Sequence, residues 1–212
     1  MYIDLLRINH KFMKKILHVI SSPRGDASFS IKLGNAIIEK IKAAYPDSTV
    51  QETNLLEKHF PHLEESHLAS FFTPAENRTP ELLAAVKHSD EAIKEIMEAD
   101  VIVIGAPIYN YSIHSSLKAW IDHIARSGIT FKYDENGPEG LVKNKKVYIA
   151  LSSGAIYSEG PLKSIDYVEP YMRTILGFLG MTDITVIRAE GTSLPGIQDH
   201  ALDKGIASVH IN

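Results

Sequence analysis

With 212 residues, 44% hydrophobic and 23% charged, the chain suits one large α/β domain that can bury its own core. The sequence has no cysteine, which excludes disulfides, thiolate nucleophiles and Cys-ligated zinc or iron–sulfur sites. A net charge of −4 argues against nucleic acid as a partner, and no apolar run approaches the roughly 20 residues that span a bilayer. The reading is therefore a soluble, cytoplasmic protein with neither nucleic acid nor membrane as partner.

Met1 to Met13 carries Asp4, Arg7, His10 and Lys11 among its apolar residues and lacks the pattern of a signal peptide. Residues 1–12 read as a tail outside the fold, with Met13 as the natural start; a genuine short extension is the alternative. The domain proper is expected over 13–212. Ile16 to Ser21 reads as a first strand, running into the polar turn SSPRGDASFS. Ile31, Leu33, Ile37, Ile38 and Ile41 then share one helical face. Thr49 to Asn54 is a second, more polar strand near an edge. Leu55 to Asn77 shows no period; such a length is expected as a functional loop or as short helices. Pro80 opens the next helix at its first position, and that helix continues to about Glu98.

Val101 to Ala106 (VIVIGA) is almost wholly apolar, as in a strand buried on both faces of a parallel sheet. The turn PIYNYS follows, then a helix from about His114 to Ser127. Gly128 to Lys145 is a Gly-, Asn- and Pro-rich excursion. Val147 to Leu151 is a fourth strand entering SSGAIYSEGP, and Val168 to Leu179 a helix. Ile184 to Ala189 is a fifth strand, and Ile197 to Ser208 a last helix. Alternating strands and helices demand a parallel sheet with helices on both faces. Five strands with an apolar third fit a doubly wound α/β sheet of order 2-1-3-4-5, whose ligand sits at the carboxyl ends of the strands.

Three turns leave the ends of the first, third and fourth strands and should converge. In the first, Ser22, Ser28 and Ser30 offer hydroxyls beside a helix start that favours phosphate. Helix capping by Ser28 or Ser30 accounts for the same residues. It is neither a Walker A loop nor GxGxxG. In the second, Ile108, Tyr109, Asn110 and Tyr111 suit a planar ring with polar edges; packing tyrosines and a turn asparagine read the same way. In the third, Ser152, Ser153, Gly154 and Ala155 are small enough for close backbone approach to a ligand, as in any tight turn. The ten histidines show no compact metal spacing, and none of His59, His62 and His67 is assigned a metal.

At these residues the chain resembles the FMN-dependent NADH azoreductase family, also described as NADH:quinone oxidoreductases. The motifs are SSPRGDASFS, APIYNYSIHSSLKAWID, GITFKYDENGPEGLVKNKK, GFLGMTDI and RAEG, in that order. The resemblance implies a flavodoxin-like fold and bound FMN. It places the cofactor contacts at Ser22, Ser28, Phe29, Ser30, Ile108 to Tyr111 and Ser152 to Ala155. It also implies a homodimer with the active site at the subunit interface, and Tyr133 and Phe178 lining the substrate side. NADH or NADPH would reduce the flavin, and quinones or azo compounds would take two electrons in a ping-pong cycle. No side chain is assigned as catalytic, because the cofactor carries the chemistry; Tyr133 or Tyr157 is a candidate proton donor. A non-enzymatic carrier like flavodoxin is the alternative, disfavoured by the near-neutral charge and the added Gly128 to Lys145 segment.

The sequence departs from the family at Ser153 and Ala155, where arginine and glycine are usual, and at His114, read as a helix-start residue where proline is common. From Ala155 follows an expectation about the turn: Gly154 takes any positive φ there, and Ala155 stays at negative φ with its N–H toward the site.

Overall fold

The computed structural model describes residues 13–211; the expected tail, residues 1–12, lies outside the described residues. Strands β1 (Lys15–Ile20), β2 (Thr49–Asn54), β3 (Val101–Pro107), β4 (Phe131–Asp134), β5 (Gly137–Gly140), β6 (Lys146–Ser153) and β7 (Asp183–Glu190) occur in that order. They are interleaved with helices α1 (Phe29–Ala44), α2 (Leu55–Lys58), α3 (Glu65–Phe72), α4 (Pro80–Glu98), α5 (Ser115–Ile124), α6 (Val168–Phe178) and α7 (Ala201–Ala207). The main sheet is five-stranded, in the order β2-β1-β3-β6-β7, and every pairing in it is parallel. This is the doubly wound order expected from the sequence.

Alternation along β3 explains its apolar run. Val101 and Val103 point into a layer with Leu33, Ile37 and Ile41 of α1. Ile102 and Ile104 point the other way, among Ile96 of α4, Trp120 of α5 and Leu176 of α6. Side chains two apart share a face, so a strand covered on both sides must be apolar throughout. β2 is one edge strand and keeps Thr49, Gln51 and Glu52 exposed, whereas Thr53 at its end is buried.

One open alternative is settled and two segments add to or differ from the sequence reading. The stretch after β2 folds into α2, α3 and a short 3-10 turn at Ala75–Asn77. Its capping box at Glu64 and His67 is local and carries no long apolar period. The excursion after α5 is an antiparallel hairpin, with Phe131 opposite Gly140 and Asp134 opposite Gly137. Its anchor is a backbone contact: a Cβ on Gly140 would lie 2.1 Å from the nitrogen of Gly180. Glycine is the residue that permits this approach, and Val142 N–H donates to Leu179 O at 2.9 Å beside it. The last helix is shorter than expected, because residues 191–200 form successive turns, with Gly196 at φ +79°. Among the described residues, no helix is long and apolar enough to cross a membrane.

Candidate cofactor site

The carboxyl ends of β1, β3 and β6 are tied to one another before any ligand is considered. Ser21 Oγ donates to Gly105 O at 2.6 Å, joining the end of β1 to β3. Pro107 pairs with Ser152, and Ile108 N–H donates to Ser152 O at 2.8 Å, which sets the second and third turns side by side. Ser153 pairs in turn with Glu190, so the loop after β7 joins the group. One cleft results, lined by Ser22, Ser28, Phe29, Ile108, Tyr109, Ser152, Ser153 and Gly154. It is shallow, enclosing about 70 Å³. A ligand the size of a nucleotide would be cradled there rather than enclosed.

The first turn begins α1. Ser28 is its N-cap, with Oγ accepting from Ile31 N–H at 3.4 Å and lying 3.1 Å from Ser30 Oγ. Capping is thus a real role of Ser28. Ser30 is fully buried and does not line the cleft. The N–H groups of Phe29 and Ser30 meet no acceptor among the described residues, as the first turn of a helix requires. They sit at the positive end of a 16-residue helix beside Arg24, which also lines the cleft.

The second turn is conformationally the most unusual. Asn110 and Tyr111 both lie in the left-handed region, at φ 49° and 65°. Tyr109 and Ser112 bracket them, each N–H donating to the other's carbonyl at 2.9 Å. This is a two-residue turn of the kind usually built from Asn-Gly. Tyrosine there costs roughly 1–2 kcal/mol. Tyr109 lines the cleft and also a wider neighbouring groove of about 630 Å³ shared with Asn110, His62, His114, Lys118 and Tyr171. His114 is the N-cap of α5, accepting from Ser116 N–H at Nδ1 (3.2 Å). Burial lowers its pKa, and because Nδ1 accepts this bond the neutral ring carries its proton on Nε2.

The third turn is pinned to the loop after β7 by its carbonyls. Thr192 N–H donates to Ser153 O at 3.1 Å and Ser193 N–H to Gly154 O at 3.0 Å. In a trans peptide the carbonyl and the following N–H point opposite ways. The N–H groups of Gly154 and Ala155 are therefore aimed away from that loop, and neither has an acceptor among the described residues. The expected positive φ at Gly154 is not found; neither Gly154 nor Ala155 is left-handed. The turn instead packs closely on its neighbour: a Cβ on Gly154 would sit 2.9 Å from Ser193 Oγ, so a larger residue needs that hydroxyl to turn aside.

Tyr133 and Phe178 lie elsewhere. They pack together, with ring centroids 6.4 Å apart and Phe131 of the same hairpin against both rings, and neither lines the cleft. Tyr133 is 68% exposed. Arg24 and Thr192 line the cleft but were not singled out in the sequence. Arg24 was hidden in a turn read for its hydroxyls; Thr192 is brought in only by the pairing of β6 with β7. Among the described residues no cluster of His, Asp and Glu can hold a metal ion.

Unpaired N–H groups at a helix start and at the third turn, with Tyr109 of the second turn beside them, fit a ligand with an anionic end and a planar, hydrogen-bonding end. FMN has that form. The comparisons agree in kind. A family model described as the flavodoxin-like fold matches residues 14–210. The chain is 50% identical over 182 residues to the FMN-dependent NADH:quinone oxidoreductase of Herminiimonas arsenicoxydans, covering 86% of this chain and 89% of that one. It is 46% identical over 195 residues to the protein of that name from Mesorhizobium japonicum, covering 92% and 93%. Among solved structures, the azoreductase from Bacillus anthracis strain Sterne superposes with a TM-score of 0.85 at 31% identity, covering 92% of this chain and 96% of that one. An FMN-dependent NADH-azoreductase from Bacillus anthracis strain Ames Ancestor, solved in complex with FMN, gives a TM-score of 0.82 at 27% identity, covering 92% and 95%. With nearly the whole chain matched at this identity, the protein belongs to the flavodoxin-like family of FMN-dependent NADH:quinone oxidoreductases and azoreductases.

Proposed function

We propose that the chain binds FMN in the cleft and passes two electrons from NADH or NADPH to quinones and to aromatic azo compounds, cleaving the azo bond reductively. The carrying observation is the pair of cleft-lining residues with unpaired N–H groups at its two ends, Phe29 at the start of α1 and Gly154 in the third turn, each followed by a residue whose N–H is also unpaired, Ser30 and Ala155. Bound FMN supplies the two-electron chemistry.

The chain's own residues bind and orient. Ser22, Ser28, Phe29 and Ser30, with Arg24, hold the phosphate at the start of α1. Ile108, Tyr109, Asn110 and Tyr111 hold one edge and face of the ring. Ser152, Ser153, Gly154 and Ala155 hold its polar edge, where N–H donors favour the more negative, reduced form. The cleft is shallow enough that donor and acceptor would bind in turn on its open side, which is the basis of the proposed ping-pong kinetics.

The same reading makes the functional unit a homodimer. Tyr133 and Phe178, clustered outside their own cleft, would then line the substrate side of the partner's. The working compartment is the cytoplasm, where nicotinamide nucleotides are held. The test is anaerobic mixing of the holoprotein with NADH, then with a small quinone. Loss of the flavin absorbance and its return on adding quinone are expected. Flavin that NADH leaves oxidised would overturn the reading.

A further inference from the structure

Beyond the cleft lies a network of charges with no assigned role, and its geometry leads back to the third turn. Glu190, the last residue of β7, is almost buried, with a side chain 9% exposed. Its Oε1 accepts from Tyr157 N–H at 2.8 Å and from Ser158 N–H at 3.0 Å. Arg188 Nη1 donates to the same oxygen at 3.0 Å. Arg188 Nη2 donates to Asp166 Oδ2 at 2.6 Å and also reaches Glu169. Asp166 Oδ1 in turn accepts from Val168 N–H at 3.0 Å and Glu169 N–H at 3.2 Å, at the start of α6.

The loop between Ala155 and α6 is thus fastened at its beginning by Glu190 and at its end by Asp166, with Arg188 holding both carboxylates. Charge-assisted bonds of this kind are the stronger and more directional ones. The fastening begins two residues past Ala155, whose carbonyl accepts from Gly191 N–H at 3.1 Å. Every peptide from Ser153 to Ser158 that touches the β7 side is therefore held on that side. Tyr157 ends up beside Tyr111 of the second turn; burial, then the neighbouring Tyr111 and Asp166, raise its phenol pKa.

We propose that Glu190 is a positioning residue for the cofactor site: by clamping the Tyr157 and Ser158 amides it fixes the third turn, and so aims the Gly154 and Ala155 N–H groups into the cleft. The proposal rests on the functional reading above. It requires reach as well as an acceptor oxygen. Glutamine keeps the oxygen at the same distance, whereas aspartate keeps the charge but withdraws it by one methylene.

The test compares the holoproteins of wild type, E190A, E190Q and E190D for FMN dissociation constant, midpoint potential of the bound FMN and melting temperature. E190A and E190D should weaken FMN binding by roughly tenfold and shift the midpoint potential downward. The reduced form relies on those donors more than the oxidised form does. E190Q should stay close to wild type in both. A residue that merely supports the fold lowers the melting temperature and leaves the potential alone. Wild-type potential and affinity in E190D would overturn the proposal. So would E190Q as impaired as E190D, since reach would then not matter. If E190A does not fold, the contrast between E190D and E190Q still decides. A wild-type chain that takes up no FMN overturns the functional reading, whereas FMN uptake with no effect of these substitutions overturns the role of Glu190 alone.

Discussion

Ser21 Oγ donates to Gly105 O across 2.6 Å, and this bond joins β1 to β3 at the point where the chain reverses its direction of winding. Both strands are covered by helices there, so the carbonyl has no ready substitute partner. Ser21→Ala leaves a buried acceptor unpaired and should cost about 1–3 kcal/mol. Urea denaturation read by circular dichroism measures it. A midpoint unchanged from wild type would show that the strand ends do not depend on this bond.

Tyr111 holds a left-handed conformation while 54% exposed. Glycine would relieve about 1–2 kcal/mol of backbone strain and lose about 0.5–1 kcal/mol to unfolded-state entropy. Relief wins, so Tyr111→Gly should raise stability by up to about 1 kcal/mol. The ring is proposed to contact FMN, so cofactor affinity should fall in the same variant. A variant both less stable and equally tight for FMN would contradict the account of this turn.

Gly154 packs against Ser193 and does not sit at positive φ, and this separates two substitutions. Gly154→Val drives a branched side chain into Ser193 Oγ and should weaken FMN binding much more than Ala155→Gly does. Adding Ser193→Gly to Gly154→Val should recover part of the loss. Equilibrium titration of the apoproteins with FMN reads all three. No recovery in the double variant would return the explanation to backbone conformation.

His18 is 1% exposed on β1, and burial pushes its pKa down from 6.5 to about 4. Glu52 Oε2 lies 3.7 Å from Nδ1 and favours the charged form, but Glu52 is 59% exposed and screened, so burial prevails. The folded pKa is the lower one, so the unfolded chain binds the extra proton. The stabilisation is complete above pH 6.5, falls between pH 6.5 and 4, and is lost below. The total is about 3 kcal/mol. Denaturation midpoints of wild type and His18→Gln at pH 7.5, 6 and 4.5 test this. Parallel pH profiles for the two proteins would contradict it.

What could be read in advance follows the range of the forces involved. The strand order came from apolar runs such as VIVIGA, whose burial on both faces leaves little choice of place in a sheet. The end of α1 and the cap at His114 depend on neighbours one to three residues away and were also legible. The hairpin from Phe131 to Gly140 was not, because its anchor is the contact of Gly140 with Gly180, forty residues distant in sequence. The left-handed pair at Asn110 and Tyr111 was missed because neither residue is glycine. Its cause lies in the reciprocal bonds of Tyr109 and Ser112. The clamp at Glu190 joins β7 to the loop before α6, and nothing in RAEG announces it.

The central claim is that the turns after β1, β3 and β6 form one FMN site. Titration of the apoprotein with FMN, followed by flavin fluorescence and absorbance, tests it most directly. A saturable, yellow complex holding about one FMN per chain is the result predicted from a single set of unpaired donors on each cleft. An apoprotein that stays colourless in excess FMN, or that binds FMN equally well after Gly154→Val, would contradict the claim.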